Sequence, residues 1–221
     1  MTQKSSDPKT TQALARNRGV TLPTNGQLTR DMFTEDFVGF MRDVSQAQDG
    51  NFEFRSDEDR EADRVALLKA HDAGQDLWVF GYGSLIWNPA CLIEETRAAN
   101  LEGYHRAFCL SLVIGRGTMD APGYMLALED GGTCHGVIHR IRADKIDSET
   151  RILWRREMLG TGYRSIWTDV QTSEGPQRAI TFIVNLDSPR YVGQPDNAEL
   201  IARIARAEGP IGKNADYVFS L

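Results

Sequence analysis

Trp78-Val79-Phe80-Gly81-Tyr82-Gly83-Ser84-Leu85-Ile86-Trp87-Asn88 joins an apolar run to a glycine-rich turn. Trp78, Val79 and Phe80 read as a strand of a buried sheet. The strand stops at Gly81, and Gly83 follows after one intervening residue. Glycine weakens a strand, so two at its end need a cause. One cause is a tight turn that aims several N–H groups at a single point, an anion site suited to a carboxylate or a phosphate. A strand end with a β-turn and no ligand accounts for the same glycines.

The rest of the chain sets limits on that choice. Its 221 residues suit one domain with an appendage or two small ones. An apolar content of 41% and a charged content of 25% are ordinary for a globular protein and supply a core. The net charge of −6 argues against a nucleic-acid surface. No apolar run approaches the roughly 20 residues that span a bilayer, so no membrane partner is expected. Met1 to Gln12 is polar and lacks the apolar stretch of a secretory signal. Three cysteines, Cys91, Cys109 and Cys134, fit reduced thiols in a cytoplasmic protein better than a disulfide framework.

Residues 1–27 are rich in Thr, Gln, Ser and Asn and read as a mobile tail. Leu28, Met32, Phe33, Phe37, Phe40, Met41 and Val44 then share one helical stripe, and a second helix is expected around Arg60 to His71. From Leu77 the pattern changes to short strands: 77–82, 101–112, 124–129, 133–142, 164–171 and 178–185. Asp130-Gly131-Gly132 reads as a turn between two of them. A helix over 144–159, with Asp144 placed to cap it, and another over 197–207 complete the reading. This predicts an α+β fold, a curled sheet or small barrel. Residues 1–75 form a disordered tail and helical N-terminal extension, and residues 76–221 form the main domain.

The central helix carries a second signal. Ile146, Thr150, Leu153 and Trp154 follow one buried stripe, and Glu157 is its next member, while Arg155 and Arg156 point to the polar side. Desolvating a carboxylate is expensive, and a carboxyl in an apolar setting has a raised pKa and can move a proton near neutral pH. Fraying at Gly160-Thr161-Gly162, which would let Glu157 reach solvent, is the alternative.

Both signals resemble the ChaC family of γ-glutamylcyclotransferases. The resemblance rests on the stretch from Trp78 to Ala90, on Gly103-Tyr104-His105-Arg106-Ala107-Phe108-Cys109-Leu110 and on Gly115-Arg116-Gly117-Thr118. It continues through Pro122-Gly123, Trp154-Arg155-Arg156-Glu157-Met158 and the C-terminal run from Gly209-Pro210 to Ser220-Leu221. It covers about Asp76 to Leu221. It implies a small mixed β-barrel with flanking helices, and cleavage of glutathione to 5-oxoproline and Cys-Gly. The family's substrate-binding loop falls on Tyr82, Gly83, Ser84 and Leu85, and its catalytic glutamate on Glu157. The resemblance also implies Tyr163, shortly after that glutamate, and the C-terminal Tyr217 as further ligand contacts. Arg116 is a candidate for the glycine carboxylate of glutathione, with a solvated loop arginine as the other reading.

Such a reaction is intramolecular: the α-amine of the glutamyl group attacks its own γ-carbonyl, and the Cys-Gly amine leaves. It needs a proton carrier and a fold-back of the substrate, with no metal, cofactor or enzymic nucleophile. Competing motifs fail. A dinucleotide site needs glycine at 81, 83 and 86, and a nucleophile elbow around Ser84 needs glycine at 82 and 86; Tyr82 and Ile86 break these. His105, Cys109, Cys134, His135 and His139 lack the spacing of a metal site. Two alternatives stay open: a cyclotransferase for other γ-glutamyl amides, and a non-catalytic ligand-binding module regulating cation transport, with a partner on the 28–71 helices.

Overall fold

The apolar run at 77–81 is the first strand of a closed barrel. The computed structural model describes residues 8–23, 28–48, 50 and 52–221. Helices α1 (Pro8–Asn17), α2 (Glu35–Ala47) and α3 (Asp57–Leu68) precede strands β1 (Leu77–Gly81), β2 (Glu95–Leu112) and β3 (Gly123–Ile141). Helix α4 (Ile146–Glu157), strands β4 (Tyr163–Thr172) and β5 (Gly175–Val184) and helix α5 (Asn197–Arg206) follow. A small ribbon, β6 (Glu208–Gly209) and β7 (Gly212–Lys213), leads into helix α6 (Asn214–Phe219). The barrel order is β1-β3-β2-β4-β5. The class is α+β with a small mixed barrel, since β1 pairs antiparallel with β3 and parallel with β5.

The chain divides into two compact units. One holds residues 1–54, 108–125 and 190–221; the other holds 55–107 and 126–189. In the first, α2 starts at Thr34, whose hydroxyl accepts from the Phe37 amide at 3.2 Å. Phe37, Phe40, Met41 and Val44 make its buried face, and the ring of Phe33 meets Phe37 edge-on at 5.9 Å. In the second, Phe80, Leu128, Ile138, Ile141, Trp154, Met158 and Phe182 are fully buried. Helix α3 belongs to this second unit. Its Arg64, 3% exposed, ion-pairs with Asp147 of α4 at 2.9 Å and donates to Thr150 at 2.8 Å. Among the described residues no helix is long and apolar enough to cross a membrane.

Three sequence expectations are corrected. Pro8–Asn17 is helical, with Ala15 buried, because proline suits a first helical turn and the segment covers its small apolar face. Arg18 clamps the neighbouring chain to Asp43 of α2. The rest of the expected tail that falls on residues 1–7 and 24–27 lies outside the described residues. Asp130-Gly131-Gly132 does not end a strand: β3 runs through it, with Gly131 and Gly132 at φ +98° and +74°. Positive φ at consecutive glycines kinks a strand as readily as it reverses one. Asp144 does not cap α4, which begins after a turn of 3₁₀ helix at Ala143–Lys145.

Candidate active site

At Gly81 the barrel strand turns sharply. A Cβ on Gly81 would stand 2.8 Å from the Leu85 Cβ, so glycine is what lets the turn fold back on its strand. The turn is helical: Ile86 donates to the Gly83 carbonyl and Asn88 to the Ser84 carbonyl, both at 2.9 Å. The far end is fixed by the barrel wall. His139 of β3, 3% exposed, donates from Nε2 to the Leu85 carbonyl at 2.8 Å. Its Nδ1 accepts from the Thr96 hydroxyl, also at 2.8 Å. The two partners select the neutral tautomer with hydrogen on Nε2. Burial pushes the His139 pKa down, against the opposing pull of the Leu85 bond, and keeps the ring uncharged.

The amide N–H groups of Gly83, Ser84 and Leu85 donate to no acceptor among the described residues. Three successive open donors are an arrangement, here called the cradle, that suits an anion. Tyr82 contributes its backbone and ring: its hydroxyl is buried and donates to the Phe182 carbonyl at 2.8 Å.

Glu157 is the last residue of α4. The helix is seated by Trp154, whose indole donates to Asp63 at 2.7 Å and whose ring meets Phe182 edge-on at 5.3 Å. The Glu157 side chain is only 13% exposed, which excludes the frayed reading. Its Oε1 is shut off from solvent and has no aligned hydrogen-bond donor among the described residues. Arg156 Nε stands 2.9 Å from that oxygen as its ion-pair partner. Burial raises the Glu157 pKa, and the Arg156 charge opposes the rise. A carboxylate at the negative end of a helix is also held against the dipole.

Arg156 is therefore not on the polar side of α4, as periodicity suggests. Its side chain is 11% exposed. It donates from Nη2 to the Ser84 hydroxyl at 2.7 Å and from Nη1 to the Asn88 carbonyl. One guanidinium thus touches both the glycine turn and the buried carboxyl.

Tyr163 opens β4 close after α4, buried, with its hydroxyl donating to the Leu126 carbonyl at 2.6 Å. Arg116 and Tyr217 belong to the other unit. Arg116 is half-buried and donates to the Lys213 carbonyl at 3.1 Å. Burial lowers its pKa, while Asp216 and Tyr217 act in the opposite sense. The sequence-predicted residues thus fall into two sets: Tyr82 to Leu85, Glu157 and Tyr163 in one unit, Arg116 with Tyr217 in the other.

Comparison with known proteins supplies the frame. Residues 77–221 match the family model described as ChaC-like protein. The chain belongs to the ChaC-like family. It is 41% identical over 167 residues to a glutathione-specific γ-glutamylcyclotransferase of Escherichia coli (strain K12), covering 75% of this chain and 72% of the relative. It is 32% identical over 154 residues to γ-glutamylcyclotransferase 2-3 of Arabidopsis thaliana, covering 66% of this chain and 77% of that one. The crystal structure of a yeast γ-glutamylcyclotransferase specific to glutathione shares the fold, with a TM-score of 0.61 at 21% identity, covering 66% of this chain and 84% of that one.

Two residues of this ChaC-like site escape sequence reading. His139 carries no motif, and a lone histidine on a strand gives no hint that its partner is the Leu85 carbonyl. Arg156 sits beside Arg155 in a last helical turn, where two cations are favoured by the helix dipole whatever else they do. Its nearness to Glu157 in sequence was the available signal.

Proposed function

We propose that this ChaC-like chain cleaves glutathione by cyclising its γ-glutamyl group, releasing 5-oxoproline and Cys-Gly, with Glu157 as the proton carrier. The observation that carries the reading is a buried, ill-satisfied carboxyl held by the same guanidinium that holds the open-donor turn. The name of the Escherichia coli relative supports the substrate.

The geometry supports the following steps. The substrate's α-carboxylate occupies the Gly83–Leu85 cradle, where three N–H groups await an anion. Ser84 accepts from Arg156, so its own hydroxyl hydrogen remains available to the same carboxylate. The α-ammonium then lies toward Glu157. Glu157 takes one proton from it; the freed amine attacks the γ-carbonyl carbon and closes the lactam. The C–N bond to the cysteinyl nitrogen breaks as Glu157 returns the proton to that nitrogen. The ring nitrogen sheds its second proton as the lactam forms, and that proton ends on the released Cys-Gly amine as an ammonium, so the atoms balance and no water is consumed. Proton transfer of this kind contributes about 10²–10⁴ in rate. Fold-back of the glutamyl chain contributes more, since effective molarities in such cyclisations reach roughly 10⁵–10⁸ M. Three cysteines outside any disulfide suit a reducing compartment such as the cytoplasm.

The test is incubation with glutathione, following 5-oxoproline and Cys-Gly, beside γ-glutamylalanine. Glutathione is expected to be the better substrate, and Glu157→Gln to lower kcat by about 10²–10⁴. Near-full activity in Glu157→Gln overturns the role of Glu157. Faster turnover of γ-glutamylalanine overturns the substrate preference and leaves the chemistry standing.

A further inference from the structure

We propose that Arg156 is a positioning residue for this reaction: it ties the Ser84–Asn88 turn to the end of α4 and sets its charge against the Glu157 carboxyl. The inference rests on the reading of Glu157 as proton carrier.

Three contacts share one planar group. Nη2 reaches the Ser84 hydroxyl, Nη1 the Asn88 carbonyl, and Nε lies against Glu157 Oε1. Two bonds to the turn fix the guanidinium plane, so its third edge is presented to Glu157 in one orientation. Lysine, a point charge on a flexible stem, cannot span three acceptors at once. The cradle is anchored by His139 at the Leu85 carbonyl and by Arg156 at Ser84 and Asn88. A carboxylate gripped there has a fixed distance to Glu157.

The electrostatic part is equally specific. A buried glutamate tends to stay protonated, and a protonated Glu157 cannot take the ammonium proton. Arg156 is the charged group acting on it. The other charged groups around the end of α4 are engaged elsewhere. Arg55 bonds the Gly160 and Tyr163 carbonyls, and Asp63 accepts from Trp154 and Ser165. Arg155 does not figure among the groups acting on Glu157. The hydroxyls of Tyr82 and Tyr163 are committed to the carbonyls of Phe182 and Leu126. Removing the Arg156 charge therefore leaves desolvation unopposed, and Glu157 takes up its proton at a higher pH.

The experiment measures kcat and KM for glutathione across pH 5–9 in wild type, Arg156→Gln and Arg156→Lys, with Glu157→Gln alongside. In Arg156→Gln the acid limb of kcat/KM is expected to move up by about one unit or more. On the acid side of the limb, activity is then down about tenfold, with partial recovery at alkaline pH. KM is expected to rise as the turn loses its tie. Arg156→Lys keeps the charge, so its limb is expected to stay near that of wild type while KM rises. A limb unchanged in Arg156→Gln, whatever the loss of kcat or stability, overturns the proposal. Should Arg156→Gln fail to fold, Arg156→Lys decides: a limb displaced by about a full unit, or an unchanged KM, overturns it. An active Glu157→Gln overturns the general-base reading instead. Arg156 is then judged on KM alone, and an unchanged KM in Arg156→Gln defeats it.

Discussion

His139 Nε2 stands 2.8 Å from the Leu85 carbonyl oxygen, so a strand of the barrel wall holds the open end of the glycine turn. Through Thr96 the hold extends to β2. The turn is thereby fixed by a histidine 54 positions away in the chain.

Removing that hold has a defined outcome. His139→Ala leaves the Leu85 carbonyl without this donor, at a cost of about 1–3 kcal/mol. A loss of that size lowers the melting temperature by several degrees. KM for glutathione is expected to rise more than kcat falls, because the cradle loosens while Glu157 stays in place. Burial keeps His139 neutral, so the acid limb of kcat/KM should not move. A limb that shifts with the mutation would assign His139 a proton-transfer role. The stability that depends on neutral His139 is present above the ordinary imidazole value of 6.5 and is lost as pH falls toward its depressed one.

Gly81 is expected to reject even a methyl group. Alanine there places a Cβ 2.8 Å from the Leu85 Cβ and 3.2 Å from the Leu85 carbonyl carbon, so the turn itself must shift. Overpacking of this kind costs about 1–3 kcal/mol. Gly74 separates space from conformation: its φ is +83° and nothing lies within 4 Å of a Cβ built there. Gly74→Ala should cost about 1 kcal/mol and leave kcat/KM unchanged. Equal kinetic effects from both variants would show that crowding against Leu85 is not the cause.

Glu157 carries a stability penalty with a predictable sign. Its folded-state pKa lies above the ordinary value, so the native state binds the extra proton. Stability is then fullest below the ordinary glutamate range and declines as pH rises through the raised folded value. Glu157→Gln should melt higher than wild type at pH 8, and the gap should close near pH 4, where wild-type Glu157 is protonated in both states. Thermal scans at the two pH values check this, and a Gln variant less stable at pH 8 contradicts it.

Arg64 tests the tie between α3 and α4. It is buried, paired to Glu61 at 2.7 Å and to Asp147 at 2.9 Å, and bonded to Thr150. Arg64→Ala should cost about 1–3 kcal/mol, because the buried Thr150 hydroxyl loses this donor. Asp147 is 73% exposed, so Asp147→Asn should cost about 1 kcal/mol or less. Bonds from Arg64 hold the Glu61 carboxyl below the usual range, and Arg151 followed by Arg64 does so for Asp147. Their contribution is present above the ordinary carboxylate values and is lost as pH falls. Denaturant unfolding at pH 7 and pH 4 reads both effects, and equal losses from the two variants would contradict the ranking.

Much of this site is legible in the sequence because it is local. Phe80 followed by Gly81 marks a strand end, and the helical period brings Glu157 onto the buried stripe of Leu153 and Trp154. What escapes is whatever depends on a partner distant in the chain. His139 acquires its role only when β3 pairs with β1, and Arg156 only when its guanidinium meets Ser84 and Asn88. The continuation of β3 through Gly131-Gly132 escapes for a different reason. Positive φ at two glycines specifies local backbone shape, and the pairing of β3 along the barrel decides whether the strand resumes.

The three open amides at Gly83 to Leu85 also bear on how a catalytic cycle would end. Glutathione presents two handles at its glutamyl end, a carboxylate and an ammonium. 5-Oxoproline keeps the first and has turned the second into a neutral lactam nitrogen. On the proposed reading the cradle would still recognise it, while Glu157 would face a neutral lactam nitrogen in place of the substrate's ammonium. Product therefore departs on a weakened grip, and 5-oxoproline should inhibit competitively but more feebly than a γ-glutamyl compound that retains its amine and resists cleavage. Inhibition constants for the two compounds measure how much of the hold each handle supplies, and a tighter 5-oxoproline would mean that turnover is limited by its escape.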